Sequence, residues 1–442
     1  HPVRSNRLVA LAERFRSSLF AVPTTMVIAG IVLAQVGITV DGHLDVKPGD
    51  FPLGVTSTVE SARAVLSTVA GATITVAGIA FSIAILTIQL ASSQFSPRVV
   101  GGLFRDPFNK RVIGLVAGTF AYCLVVLRAV RSPLDQAGTP VIPNISVSVG
   151  LLLGIVAILA IIAFINHNAH AIRISEILHS VTAETLEALD QGRATFEKLE
   201  PSVPALPSVV PGGPGLTVRF VTGGWVQFLD PVGLLQATPE GSTVRLDTAV
   251  GRYLVAGAPA CTIWPIPDDP DGVARHARQA LTVGNSRTIR QDAAFGIRQI
   301  VDVALKALSP GVNDATTARD AIWHLATVLH KVLSAAPPDA DLYDGPRRLV
   351  LTYVSGHHEL IALAYREVRA AAASMPAVCM TLVESIDDLV ASLDAPTEAV
   401  VEDLAEQARM VLDAARRECS DPVDLAWLEQ EYERRFLQSS PR

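Results

Sequence analysis

The chain has 442 residues, half of them hydrophobic and only 18% charged, with a mean hydropathy of +0.37; that is too apolar for an ordinary soluble protein. Its formal net charge of -7 is spread over mixed acidic and basic segments, with no basic block or aromatic-basic interleaving, which argues against a nucleic-acid partner. Cys123, Cys261, Cys379 and Cys419 form neither a CxxC pair nor a metal-ligand spacing, so they read as reduced packing thiols, and no metal or cofactor is expected.

The chain opens on residues 1–18, where Arg4, Arg7, Arg14 and Arg16 surround Leu8, Val9, Leu11 and Phe15, the pattern of a short amphipathic helix at a membrane surface. A first span is expected over 19–40. It is too long for a signal-peptide apolar region and lacks a small-residue cleavage site, so it reads as retained. The acidic, Gly- and Pro-bearing loop 41–59 leads to a second span over 62–91. Arg98, Arg105, Lys110 and Arg111 follow it, then spans over 112–127 and 145–165. Lys and Arg flank the first span and the loop between the second and third more heavily than the other loops, which places both termini in the cytoplasm.

Within the second span, Ser61, Thr68, Thr75, Ser82, Gln89 and Ser96 recur every seven residues, and Gly71 and Gly78 repeat the same interval three positions on. On a helix this makes a polar stripe beside a groove of small residues. Two readings stay open: a packing seam, since small and hydroxyl residues let transmembrane backbones approach, or the lining of a water-filled path, since polar groups at membrane depth face cavities or bundle interiors.

The fourth span continues as a helical extension over 171–200, beyond the domain 19–170. His167 and His170, three residues apart near the membrane edge, lack a third ligand and read as interfacial histidines. A linker over 201–215 holds Pro201, Pro204, Pro207, Pro211 and Pro214. Residues 216–270 alternate like strands between glycine turns, which predicts a small β-barrel or sandwich module. Its order resembles a biotinyl or lipoyl module, but the hairpin has no lysine and so no swinging arm. Everything from 271 to 442 reads as a helical bundle, with segments near 288–308, 315–333, 346–373, 377–393, 397–419 and 422–437.

Between the first two of these helices, Pro310-Gly311 closes one and Asn313 or Asp314 is suited to cap the next. The stretches Phe81-Ser82-Ile83, Gln94-Phe95-Ser96-Pro97-Arg98, Phe295-Gly296-Ile297-Arg298-Gln299-Ile300-Val301-Asp302 and Ala307-Leu308-Ser309-Pro310-Gly311-Val312-Asn313-Asp314, with Thr317-Ala318, carry a resemblance to bacterial predicted membrane proteins catalogued as domain of unknown function 2254. The resemblance covers nearly the whole chain. It implies the membrane assignment and the architecture, and no established activity. Where such proteins often have proline after the Asn-Asp pair, this chain has Ala315, which keeps the cap and fixes the helix start less rigidly.

No P-loop, GxSxG or HExxH is present. Asp320 with His324, and His357-His358-Glu359, read as surface electrostatics, so no enzyme is expected. The leading expectation is a homo-oligomeric channel or pore for ions or small solutes, self-associated in the lipid bilayer. Ser61, Thr68, Gly71, Thr75, Gly78, Ser82, Gln89 and Ser96 would face the axis, Arg98 and Arg105 would favour anions at the inner mouth, and the cytoplasmic half would act as a vestibule or gate. The alternative is a membrane-anchored sensor or scaffold whose bundle binds a ligand or partner; Arg287, Arg290, Arg298 and Asn313 are its candidate contacts, although salt bridges with Asp292, Asp302 and Asp314 are the first use expected of them. Four unbroken spans without a charged residue at midplane do not suggest a secondary transporter.

Overall fold

The structure, a computed structural model, describes residues 21–43, 58–94, 107–130, 143–171, 173–201, 211–337 and 339–437. The amphipathic segment expected over 1–18 lies outside the described residues, as does most of the linker expected over 201–215. The chain divides into two compact units, His1–Glu176 and Ile177–Arg442.

The first unit holds α1 (Ala21–His43), α2 (Val59–Gln94), α3 (Pro107–Ala129) and α4 (Asn144–Ala171). All four are long and apolar enough to cross a membrane, and they stand where the apolar runs predict spans. Helix α2 has 36 residues, about 54 Å at 1.5 Å per residue, well beyond a hydrocarbon core of about 30 Å. Helix α3 packs against the other three, and α2 also packs against α4.

Glycine sets these contacts. A Cβ at Gly118 would lie 2.8 Å from the Met26 carbonyl oxygen, and one at Gly30 would run into the Gly118 carbonyl. Backbone therefore meets backbone between α1 and α3. On α4, Gly150 and Gly154 play the same part, where a Cβ would come within 3.0 Å of Leu66 and 2.9 Å of Val69 on α2. These are small-xxx-small faces, the form in which helices associate where burial from water offers no driving force.

Polar groups gather at the ends of the spans, where helix termini leave backbone groups without partners. The carboxylate of Asp41, in the last turn of α1, accepts the N–H of Ile145 at 2.9 Å and of Ser146 at 3.0 Å, and the Ser146 hydroxyl at 2.6 Å. Arg63 donates to the Val130 carbonyl at 3.1 Å, just past the end of α3. At the opposite ends, Asn109 and Asn168 exchange amide hydrogen bonds of 3.2 and 3.1 Å between α3 and α4.

The second unit begins within α5 (Ile174–Phe196). Helix α4 ends at Ala171 and α5 starts at Ile174. Strands β1 (Glu200–Pro201), β2 (Leu216–Arg219), β3 (Gly224–Leu229), β4 (Thr243–Leu246), β5 (Tyr253–Leu254), β6 (Pro259–Trp264), β7 (Leu281–Gly284), β8 (Asp341–Asp344) and β9 (Arg347–Leu351) form two sheets. One is six-stranded in the order β1-β8-β9-β4-β6-β2; the other runs β5-β3-β7. Both share a core that includes Val218, Val226, Val244, Ile263, Leu281 and Leu349.

These are open sheets and not a closed barrel. The strands also reach outside 216–270: β4 lies parallel to β9, with Val244 opposite Leu349. The segment 271–442 is therefore not helical throughout, and the helix expected over 346–373 contains β9 in its first turns. An apolar Leu349-Val350-Leu351 run suits either period, and its partner strand decides which one forms.

The helices of this unit are α6 (Pro231–Gln236), α7 (Pro270–Gln279), α8 (Ala293–Ala307), α9 (Ala315–Leu333), α10 (His357–Ala372), α11 (Pro376–Ser392), α12 (Glu398–Glu418) and α13 (Pro422–Tyr432), the last followed by a π turn at Glu433–Leu437. Aspartate caps recur: Asp230, Asp269, Asp292, Asp314 and Asp421 each accept a backbone N–H of the helix that follows. Helices α8 to α12 bury Ile297, Ile300, Ile322, Leu325, Tyr365, Leu382, Ile386 and Leu404 between them.

Candidate functional site: the outward polar face of α2

Helix α2 has two faces with different uses. Ala62, Leu66, Ala70, Thr73 and Ala80 are buried and turn toward α3 and α4. Ser61, Thr68, Gly71, Thr75, Gly78, Ser82 and Gln89 are all exposed. At 3.6 residues per turn the two sets point about half a turn apart. Among the described residues, the seven-residue stripe expected to pack or to line a path thus packs on nothing within its own four-helix unit, and a Cβ added at Gly71 or Gly78 would meet no atom within 4 Å.

The hydroxyls on this face are already engaged locally. Thr75 donates to the Gly71 carbonyl at 2.8 Å and Ser82 to the Gly78 carbonyl at 2.9 Å. Each hydroxyl oxygen keeps its acceptor capacity. Ile74, Ile79, Phe81, Ile85 and Leu86 are exposed around the stripe, and the position seven after Gly78 is Ile85, so the small-residue groove closes toward the C-terminal end of α2. Ser96, Arg98 and Arg105 lie outside the described residues.

The other motif residues have structural partners. Asp314 caps α9, accepting the Thr317 N–H at 3.0 Å and its hydroxyl at 2.6 Å, and these bonds hold its carboxyl below the usual carboxylate range. Asn313 takes a left-handed backbone with φ 50°, a conformation asparagine tolerates better than most residues. Ser309 donates to the Lys306 carbonyl at 2.7 Å and its own carbonyl accepts the Asn313 N–H at 2.9 Å, so Pro310 sits inside a tight reversal between α8 and α9. Gly296 admits Thr185 of α5 against the backbone of α8.

Two of the three arginines named for a ligand are held by acids. Arg287 forms two hydrogen bonds to Asp292, at 2.7 and 3.0 Å, and Arg298 pairs with Asp302 at 2.9 Å and with Glu367. Arg290 lies over the Phe228 ring. His324 meets the Thr182 hydroxyl at 2.8 Å; burial, then neighbouring His179, push its pKa down while Asp320 opposes them. His357 reaches the Ala335 carbonyl at 2.9 Å and His358 meets Asp403 at 2.7 Å, so the two histidines diverge. His167 lies beside the Phe108 ring, 4.7 Å between centroids. Cys261 and Cys379 are buried thiols pushed up to about 12 by desolvation. Among the described residues no group of three or more His, Cys, Asp or Glu could hold a metal ion.

Sequence reasoning missed the Asp41 cap of α4 and the α2–α4 contact through Gly150 and Gly154. The second had a signal, two glycines four apart in an apolar run. The first had none, because its partners lie 104 and 105 positions away.

Residues 16–388 match the family described as "Predicted membrane protein (DUF2254)". The uncharacterized proteins Rv1290c of Mycobacterium tuberculosis and Mb1321c of Mycobacterium bovis are each 31% identical to the chain over 434 residues, covering 95% of it and 80% of their own length. No solved structure matches.

Proposed function

The chain belongs to the DUF2254 family of predicted membrane proteins, and we propose that it works as a homo-oligomeric channel or pore for ions or small solutes. The observation that carries this reading is the outward polar face of α2. A helix packed on one side against its own unit and small, polar and periodic on the other is suited to meet copies of itself around an axis. In such a ring Thr68, Thr75 and Ser82 would present hydroxyl oxygens to water, and Ile85 and Leu86 would form the apolar constriction. No charged residue stands between Arg63 and Arg98, so discrimination by charge would fall to Arg98 and Arg105 at the inner mouth. We place both termini in the cytoplasm of the plasma membrane, with the second unit as vestibule or gate and no catalytic role.

The sensor or scaffold alternative has less support, because Arg287 and Arg298 are committed to ion pairs. Planar-bilayer recording of the purified protein tests the channel. Thr75→Leu and Ser82→Leu are expected to reduce conductance, and a conductance unaltered by both removes the reading.

A further inference from the structure

The second unit carries an apolar tip ringed by arginine. Val221 is 88% exposed, Val255 63% and Tyr253 56%. They belong to two adjacent loops: the Gly257 N–H donates to the Phe220 carbonyl at 2.8 Å, and a Cβ at Gly223 would lie 3.2 Å from the Ala256 nitrogen. Trp225 supports Tyr253 edge-on at 5.4 Å. Arg219 donates to the Gly257 carbonyl at 2.7 Å, Arg278 donates to the Arg219 carbonyl at 2.8 Å, and Arg252 stacks on the exposed Tyr353 ring at 3.7 Å. The segments 211–229 and 248–264 that build the tip contain no acidic residue.

We infer that this tip, Val221, Tyr253 and Val255 with Arg219, Arg252 and Arg278, is a docking surface for an anionic lipid bilayer. Short aliphatic and aromatic side chains can enter the headgroup region while arginines around them meet lipid phosphates, a pairing of apolar and cationic contacts typical of interfacial binding. The charge complementarity comes from these arginines: the tip segments contribute no carboxylate of their own, and Asp292, which lies against Gly251, is buried and paired with Arg287. A chain with four candidate spans is tethered to such a surface already, so a contact too weak to recruit a free domain suffices here. The proposal stands apart from the channel reading, since it concerns a different surface and needs no oligomer.

The test uses the full chain in nanodiscs, with an environment-sensitive fluorophore on Val221→Cys in a Cys419→Ser background; Cys123, Cys261 and Cys379 are buried. A second sample carries the label on Val423→Cys, another exposed valine (74%), on α13. In discs containing phosphatidylglycerol the label at 221 is expected to shift to the blue and to be quenched by nitroxide lipids, with both effects lost in phosphatidylcholine discs and on Arg252→Glu, while the label at 423 stays in water. Thermal melting of each variant verifies that it is folded. A label at 221 quenched only from the aqueous side overturns the proposal. So does lipid quenching indifferent to lipid charge and to Arg252→Glu, or a shift that follows the number of chains per disc without lipid quenching, which would assign the tip to a second copy.

Discussion

Asp41 and Ser146 lie 105 positions apart in sequence and are joined by two hydrogen bonds, from the Ser146 N–H at 3.0 Å and its hydroxyl at 2.6 Å. A carboxylate at the end of one helix thus serves as the N-terminal cap of another, where it also meets the positive end of the helix dipole. Asp41→Ala is expected to destabilise the four-helix unit by about 0.5–2 kcal/mol, and Asp41→Asn by less. Hydrogen exchange by mass spectrometry should show the loss first in the opening turn of α4.

Two classes of glycine should respond in opposite ways. Gly30→Ala drives a methyl into the Gly118 backbone, an overpacking expected to cost about 1–3 kcal/mol. Gly71→Ala and Gly78→Ala meet open space and should leave the isolated protomer unchanged or up to about 1 kcal/mol more stable through helix propensity. If α2 assembles through its outward face, those same substitutions weaken the oligomer. Unfolding in detergent and cross-linking in bilayers separate the two effects.

The turn before α9 makes a graded prediction. Asp314→Ala removes bonds to both the Thr317 N–H and its hydroxyl and should cost about 0.5–2 kcal/mol. Ala315→Pro puts proline at the first helical position of α9, where a missing N–H does no harm, and should stabilise by about 0.4–1 kcal/mol. Thermal melting of the two variants is expected to move in opposite directions.

Two histidines give pH dependences of opposite sign. His324 is depressed below its ordinary 6.5, so the unfolded chain binds its proton first and stability falls as pH drops from that value toward the folded pKa. His324→Asn, which can keep an acceptor for Thr182, should flatten the loss of melting temperature on acidification. His358 is raised, first by its hydrogen bond to Asp403. Its contribution is complete below 6.5 and disappears as pH rises through the folded value, so Asp403→Asn should lower the melting temperature at about pH 5.5 and change it little at about pH 8.

The spans were legible because each is a long apolar run that admits one structure in a membrane. The two faces of α2 could be separated from periodicity alone, although which face packs depended on Gly150 and Gly154 of α4, which the pattern of α2 does not contain. Arg287 and Arg298 sit within five residues of Asp292 and Asp302, so their ion pairs could be read locally. Strands β8 and β9 could not, since Leu349-Val350-Leu351 is extended only because β4, about a hundred residues earlier, provides a parallel edge.

That parallel pairing has a consequence for biosynthesis. Strand β4 gains β6 on one side soon after it leaves the ribosome, and its other edge stays open until β9 follows, after the α8–α9 helical pair has been made. At about 5–20 residues per second the exposed edge waits roughly 5–20 seconds. Arg245, near the centre of β4, places a charge on that waiting strand, which hinders two nascent copies from zipping together before the sheet is complete.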